Sequence, residues 1–580
     1  MSISSSNHYH TSKTCKPSAI WIALSILGFL CFVIFQIIWP NFVANDTASE
    51  KMITEQQAIQ RAEAFLLQPE IAASIAPPEK VATTKRIEAY YDTNDDLSGY
   101  ISHSGTENTY RSWEKKAPYD VYRVLVLESA DKQPLLSSSP YERLTKVDIH
   151  MRTGQVVGFQ TESNGSTTSQ DNRTEPNDRW KQSDHILRLF GWSTEQVKRV
   201  PLALEDGRSE GESSVHYEVP RAAVGEARLE LQLEWDGRSL TQMLPNWQIP
   251  ASYSNLMAQQ QASAERIHNF VYVGMSLLLS IASIVMTILY RKQIVFRSRT
   301  LILLTVISCF ISIAHVWNMT EGYFMVSEHQ ILPEKNLQTA IIVQAVITLI
   351  QAGFALYFSL IAGRWMWRQT KFSAIMPGWS DDSFGEHLVQ AFWKGIGWTG
   401  ILLGAQTLIF SIMQKGLNTW VSTEALSSPL NLYAPVWFPL LAWVAAISEE
   451  GFFRLFAIGL FHRFIRNVWI ASLIPTFVWA AGHVMYPIYP FYSRPVELMI
   501  IGMLFVWMML KHGFWTAVVA HLMFDTVLMA IGFLFGTNWT DILIGAAYIL
   551  FPLTVVYGIR YLHSNRKHSP KMAYQQHPPS

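Results

Sequence analysis

Two adjacent glutamates and an arginine lie inside an apolar stretch in the C-terminal half of the chain. Glu449 and Glu450 follow an apolar run that begins near Val436, and Arg454 comes four residues after the second glutamate. Residues four apart share one face of a helix, so Glu450 and Arg454 can pair, whereas Glu449 points about 100° away. A carboxylate in a site of low dielectric constant can act as a general base on water. The pattern therefore leaves Glu449 available for chemistry.

Two further apolar stretches carry ionisable side chains at helical spacing. "TFVWAAGHVMY" contains His483 four residues after Trp479, and "TAVVAHLMFDTVLMA" contains His521 four residues before Asp525. Ionisable groups at membrane depth cost several kcal/mol unless they are paired or hydrated, so each of them indicates function. Histidines can donate hydrogen bonds to a developing oxyanion. Counting along the apolar runs places these groups at different depths, but three converging helices would bring them to one site with Glu449.

The same residues allow other interpretations. Imidazole and carboxylate groups are zinc ligands, so Glu449, His483 and His521 could bind a metal ion. Glu450 and Arg454 could instead form a purely structural ion pair, and an intramembrane histidine often joins helices through hydrogen bonds. The closeness of the three stretches along the chain favours a shared site.

Together the three motifs resemble those of the CPBP (Abi, CAAX protease-like) family of intramembrane proteases, which includes the Ras-converting CAAX endopeptidase. "EEGFFR" is similar to the Glu-Glu-x-x-x-Arg motif, and "HLMFD" to the His-x-x-x-Asn/Asp motif. The second motif has an aromatic residue four positions before a histidine, usually Phe, where this chain has Trp479 before His483. The resemblance covers about residues 390–562 and implies that Glu450, Arg454 and Trp479 support the site.

The resemblance also implies the catalytic roles. Glu449 would activate water, His483 and His521 would assist, and Asp525 would support the oxyanion or His521. Asp525 stands where the eukaryotic members have Asn, so it would have to be protonated to donate a hydrogen bond, or act through His521. Family members are described both as metalloproteases and as metal-free glutamate peptidases. The implied cofactor is therefore either none, which we favour, or zinc.

The composition is that of a membrane protein. Hydrophobic residues make up 49% of the chain and charged residues only 16%, which is low for a soluble protein. The formal net charge of zero gives no indication of a nucleic-acid partner. Ten apolar runs approach the length of about 20 residues that a bilayer core requires of a helix. They are 18–40, 268–290, 299–318, 338–362, 395–413, 436–460, 468–486, 495–510, 514–535 and 540–561.

The basic residues predict the orientation of these runs. If the runs alternate across the membrane, the segments rich in Lys and Arg fall on one side together with Lys13 and Lys16, and that side is cytoplasmic. Both termini are then cytoplasmic, in a multi-pass protein of the cell membrane, and the loop 41–266 is extracytoplasmic. The run 18–40 is interpreted as an uncleaved anchor, because no small-x-small cleavage site closes it. The basic segments are 291–299, 363–371, 462–467, 511–512 and 560–571.

The loop 41–266 contains no cysteine, so a disulfide-based fold is excluded. Alternation places Leu229, Leu231, Leu233 and Trp235 on one face of a strand. Helix followed by strands occurs twice, which predicts a tandem α+β repeat. The first unit resembles the PepSY-type modules of bacterial envelope proteins, because its helix precedes a strand region with a Thr-Gly turn, and a binding or spacing role is implied. The predicted elements are a helix at 53–68, strands at 121–128 and 146–160, a linker at 161–182, a helix at 183–197 and a strand at 227–240.

The sequence thus predicts a polytopic α-helical membrane protein of about ten spans with an inserted extracytoplasmic α+β domain. The predicted function is an intramembrane endopeptidase that acts on a membrane-associated protein or peptide within the lipid bilayer. The alternative is a non-proteolytic adaptor or bacteriocin-immunity-type protein that keeps the fold. A transporter would predict internal repeats among the spans, and we find none. The predicted segments are 1–17 (cytoplasmic), 18–40 (anchor), 41–266 (α+β domain), 267–380 (spans), 390–562 (protease domain) and 563–580 (cytoplasmic tail).

Overall fold

The computed structural model describes most of the chain. The predicted N-terminal segment 1–17 lies outside the described residues, as do most of the predicted tail 563–580 and the central part of the predicted linker. The described residues are 18–38, 52–75, 84–129, 143–163, 176–200, 214–323, 334–536 and 538–566.

In the described residues, an antiparallel sheet of eight strands forms the domain that precedes most of the membrane helices. Its spatial order is β1-β2-β3-β4-β8-β7-β6-β5, so the two groups of four strands meet at the β4–β8 pair. A helix precedes each group: α2 (Glu55–Leu66), followed by the short α3 (Pro69–Ser74), and α6 (Pro176–Leu189). The strands are β1 (Thr84–Thr93), β2 (Asp120–Ser129), β3 (Arg143–His150), β4 (Val156–Ser163), β5 (Lys198–Val200), β6 (Ser214–Val224), β7 (Ala227–Asp236) and β8 (Ser239–Gln248). The helices α4 (Asp95–Ser104) and α5 (Glu107–Tyr110) lie between β1 and β2.

The alternating pattern of β7 is confirmed. Leu229, Leu231 and Leu233 have no exposed surface and Trp235 retains 6%, because this face of the strand packs into the core of the domain. The likeness to PepSY-type modules stays a prediction.

One predicted turn in this domain is confirmed, and two predicted boundaries are wrong. The predicted strand region 146–160 is a hairpin of β3 and β4 around the predicted Thr-Gly turn, where Gly154 adopts a positive φ of 69° that glycine tolerates best. The predicted strand 227–240 ends at Asp236, and its last two residues already belong to β8. The predicted helix 183–197 begins earlier, at Pro176, within the predicted linker, and ends at Leu189. Proline fits the first turn of a helix, where its missing N–H has no intrahelical partner.

The remainder of the chain is a helical membrane protein, as predicted. Within the described parts of the chain, eight helices are long and apolar enough to cross a membrane. They are α1 (Ala19–Ile38), α7 (Ala251–Leu289), α8 (Arg299–Asn318), α9 (Gln338–Arg368), α10 (Phe384–Gly416), α13 (Ser493–His512), α14 (Phe514–Leu534) and α15 (Trp539–Arg566).

The other two predicted spans are interrupted or shortened. The first is α11, which runs through Leu441–Glu449, Glu450–Ala457 and Ile458–Phe464 in succession and carries the two glutamates and Arg454. The second, α12, covers only Val468–Ala481 and ends just before Gly482. A total of ten membrane crossings therefore stays a prediction.

Candidate active site

Helix α11 separates the two adjacent glutamates. Its hydrogen bonding changes from α to π at Glu450–Ala457, a local irregularity that is frequent at functional sites. The side chain of Glu450 has no exposed surface, whereas that of Glu449 is 24% exposed. Of the two carboxylates, only Glu449 is open to a molecule that enters the site.

Glu450 holds a histidine on another helix. Its Oε1 lies 2.9 Å from Nδ1 of His521 on α14 and 3.5 Å from Nη1 of Arg454. The predicted pair of Glu450 with Arg454 is present, but the shorter contact is the one with His521. Glu450 therefore joins α11 to α14 as well as facing the arginine one turn along its own helix.

Arg454 is fully buried and its guanidinium group lies over two aromatic rings. Its guanidinium carbon is 3.9 Å from the ring centroid of Trp479 and 5.4 Å from that of Phe505. Among the described residues, none of its nitrogens has a hydrogen-bond partner. Contact with the two rings and the charge of Glu450 therefore stabilise the guanidinium, and a desolvated cation–π contact contributes about 2 kcal/mol.

Trp479, which was predicted to support the site, contacts the candidate base directly. Its indole Nε1–H donates a hydrogen bond to Oε2 of Glu449. Phenylalanine, the residue that the related motif usually has, could not donate this bond. The tryptophan of this chain thus orients Glu449 and occupies one of its two oxygens.

Both ring nitrogens of His521 face carboxylates. Nδ1 faces Glu450, while Nε2 lies 3.3 Å from Oδ2 of Asp525 and 3.9 Å from Oε2 of Glu449. A carboxylate accepts hydrogen bonds, so this environment favours the imidazolium form, in which both nitrogens carry a hydrogen. The ring also stacks on Phe505, with centroids 4.7 Å apart. The geometry thus indicates a positively charged, tightly held histidine.

His483 lies just beyond the end of α12 and is held differently. Its Nδ1 is 3.0 Å from the carbonyl oxygen of Trp479, which can only accept, so Nδ1 carries the hydrogen. The other nitrogen, Nε2, is then an acceptor in the neutral ring. The predicted role as an oxyanion donor would require a second proton on His483, whereas the neutral ring can accept a hydrogen bond from water.

The residues that were considered as zinc ligands do not form a metal site as they are placed. Among the residues that the structure describes, no three His, Cys, Asp or Glu side chains are grouped so that they could hold a metal ion. His521 has both nitrogens directed at carboxylates, and Glu449 accepts from Trp479. The donor set of Glu449, His483 and His521 therefore does not fit a metal in this arrangement.

One wall of the site comes from outside the predicted protease segment. Tyr272 belongs to the π turn His268–Val273 of α7, and a Cβ atom added to Gly482 would lie 2.7 Å from its ring. The ring of Phe453 on α11 is 6.5 Å away. A tyrosine in an apolar run gives no signal of this role, so the sequence did not predict it.

A second buried ion pair was also not predicted. Glu497 has no exposed surface and lies 2.6 Å from Arg494, three residues before it on α13, and it also accepts from Gln406 on α10. The spacing of three residues inside an apolar run was the available signal. This pair joins α10 and α13 at the end of the bundle near His483, since Arg494 also contacts the ring of Tyr486.

The comparisons with known proteins agree with the motifs. Residues 431–527 match the family model described as "Type II CAAX prenyl endopeptidase Rce1-like". The chain is 26% identical to the sporulation-killing factor biosynthesis protein SkfC of Bacillus subtilis (strain 168) over 190 residues. These 190 residues are 32% of this chain and 36% of that protein. The chain thus spans about a third of the length of this curated relative. No solved structure matches. The segment 431–527, which contains all three motifs, therefore matches the Rce1-like, CAAX protease-like family that the sequence predicted.

Proposed function

We propose that this chain is an intramembrane endopeptidase that hydrolyses a peptide bond of a membrane-associated protein or peptide. The match of the segment 431–527 to the Rce1-like family model supports proteolysis at the level of the family. The observation that carries the assignment of the base is the difference in exposure between Glu449, at 24%, and Glu450, at 0%. A general base must reach the water that it activates, so Glu449 has this role.

The proposed first step is the attack of water on the peptide carbonyl carbon. Trp479 holds Oε2 of Glu449, which leaves Oε1 to take one proton from the water. The second hydrogen of the water is donated to Nε2 of neutral His483. These two acceptors orient the oxygen lone pair of the water toward the carbonyl carbon, which lowers the entropic cost of the attack.

The proposed second step stabilises and then divides the tetrahedral intermediate. The positive charge of His521, held by Glu450 on one side and Asp525 on the other, stabilises the developing oxyanion. Asp525 acts through His521 in this scheme and does not donate to the oxyanion. The proton on Glu449 then passes to the amide nitrogen as the C–N bond breaks, and the products are a carboxylic acid and an amine.

The proposed orientation follows the positive-inside rule. The loop between α7 and α8 contains Arg291, Lys292 and Arg297, and the loop after α9 contains Lys371, so this side is assigned to the cytoplasm. The sheet domain, on the N-terminal side of α7, is then extracytoplasmic. The active site would accept substrate from within the bilayer or from its extracytoplasmic face.

The function is tested by following the oxygen of water. Purified protein in lipid nanodiscs is incubated with a pool of membrane-associated peptides in H₂¹⁸O, and the products are sequenced by mass spectrometry. We expect new C-termini that carry one ¹⁸O atom with the wild type and none with Glu449→Gln. If the pool binds to the wild-type protein and stays intact across a comprehensive set of sequences, the non-proteolytic adaptor is the better interpretation.

A further inference from the structure

A cleft of about 680 Å³ lies where the sheet domain meets the membrane domain. Its floor is formed by strands of the sheet, and its opposite wall is the segment 424–426. This segment belongs to the loop that follows α10 and leads to α11, the helix that carries Glu449. The cleft is thus built jointly by the two domains and has no part in the hydrolytic site described above.

Hydrogen bonds hold the two walls of the cleft in place. The buried side chain of Asn431 accepts from the backbone N–H of Tyr91 at 2.9 Å and donates to its carbonyl oxygen at 2.8 Å. Asn431 thereby pairs with β1 at the edge of the sheet. The hydroxyl groups of Thr423 and Ser98 lie 2.7 Å apart, beside this contact. A cleft fixed in this way needs little rearrangement to bind a ligand, so less entropy is lost on binding.

The lining of the cleft is strongly acidic. Arg123 is bonded to Asp148 through two hydrogen bonds of 2.7 and 2.9 Å, and it lies 2.5 Å from Asp92. Asp95 and Glu424 also line the cleft, and among the described residues neither has a cationic partner. One positive and four negative charges leave a net charge of −3. Arg123 is already shared by two carboxylates, so the remaining charge favours a cationic ligand.

Part of the lining of the cleft is apolar. Val121, Val157 and Leu244 line it, and Gln232 and Asn246 add amide groups that can bond to a peptide backbone. Aliphatic side chains and carboxylates in one cleft suit Lys and Arg, whose hydrocarbon stems lie on apolar surface while their charged ends reach polar groups. The combination fits a peptide segment better than a small inorganic cation.

We infer that this cleft binds a cationic segment of the peptide substrate outside the membrane. The identification of this segment as part of the substrate rests on the proposed function. The binding of a cationic peptide is inferred from the lining of the cleft alone. Attraction between the segment and the carboxylates weakens at distances beyond about 8 Å at physiological ionic strength, so binding decreases as salt is raised. The sheet domain would then select substrates by charge before a bond reaches Glu449.

The test uses two labelled peptides and the full-length protein. The probe is a fluorescent hexapeptide of alternating arginine and leucine, and its counterpart carries glutamate in place of arginine. Affinity is measured by fluorescence anisotropy with the Glu449→Gln protein in uncharged maltoside micelles, so that cleavage does not interfere. The cleft variant adds Asp95→Asn and Glu424→Gln, which preserve the acceptors for Asp96 N–H and the Ser427 hydroxyl.

A matched control variant removes two carboxylates of the same sheet that lie outside the cleft. It carries Glu234→Gln and Asp236→Asn, both at exposed positions of β7. We expect the cleft variant to bind the arginine peptide about tenfold more weakly, or about 1.4 kcal/mol, and the control variant to bind it as the parent does. The glutamate peptide should not bind. Equal losses in both variants, or no binding of the arginine peptide to the parent, would overturn the inference.

Failure of the inference and failure of the proposed function are distinguishable. If the arginine peptide binds in the cleft but the wild-type protein cleaves no peptide, the inference about the cleft is supported and the peptidase assignment is wrong. If cleavage occurs and the double substitution Asp95→Asn and Glu424→Gln, made in the protein that keeps Glu449, leaves the kcat/KM for cationic substrates at the wild-type value, the peptidase assignment holds and the cleft has no role in selection. A thermal melt of each variant checks that it is folded.

Discussion

Oε1 of Glu450 lies 2.9 Å from Nδ1 of His521, although the two residues are 71 positions apart in the sequence. The carboxylate is fully buried and the ring is 5% exposed, so the contact is shielded from water. A charge-assisted hydrogen bond in such surroundings is stronger than a neutral one. Glu450 is therefore a positioning residue, which acts on the reaction through the charge and orientation of His521.

Glu450→Gln should reduce kcat by about tenfold or more and change KM little. The amide can still accept from Nδ1–H, but it no longer supplies the negative charge that supports the imidazolium, and so less oxyanion stabilisation is available. Steady-state kinetics on a cleaved peptide measure the two constants separately. An increase in KM with an unchanged kcat would show that Glu450 affects substrate binding and not His521.

Arg454→Ala should strongly destabilise the protein. It leaves Glu450 buried without its cation and removes the contact with Trp479, and breaking a buried ion pair costs about 3–5 kcal/mol. Thermal melting in detergent measures the change. Arg560→Ala is the matched control, since its ion pair with Glu386 is exposed and such pairs contribute about 0–1 kcal/mol. Equal melting temperatures for the two variants would show that the Arg454 site is hydrated.

Contacts between side chains on one helix could be predicted from the sequence, whereas contacts between side chains on different helices could not. Spacing of four residues predicts that Glu450 lies near Arg454 and His521 near Asp525, and both contacts are present. The bond from Trp479 to Glu449 depends on how α11 and α12 pack, which spacing does not encode. The early end of α12 places His483 in the turn that follows the helix, which counting along an ideal span could not predict.

Gly482→Ala should impair activity by crowding Tyr272. The added Cβ would lie 2.7 Å from the tyrosine ring, so either the ring or the segment that carries His483 must move. Tyr272→Ala should restore part of the activity of Gly482→Ala, because it removes the clash. Gly532→Ala, where a Cβ meets no atom within 4 Å, is the control and should behave as the wild type. Additive losses in the double variant would show that the two residues act independently.

The proposed orientation can be tested by labelling single cysteines in intact cells. In a protein without its native cysteines, Ser193→Cys in the sheet domain should react with a membrane-impermeant maleimide. Lys292→Cys, in the loop after α7, should react only after the cells are permeabilised. Both positions are exposed, so accessibility in the fold is matched. The opposite pattern would invert the orientation of the membrane domain.

The central claim is that Glu449 is the general base, and the most direct measurement is the single-turnover rate of peptide cleavage by Glu449→Gln. Glutamine keeps the size of the side chain and an oxygen that can accept from Trp479, but it cannot take a proton from water. We predict a fall of at least about a hundredfold, with an unchanged melting temperature. Cleavage by Glu449→Gln at the wild-type rate would contradict the account.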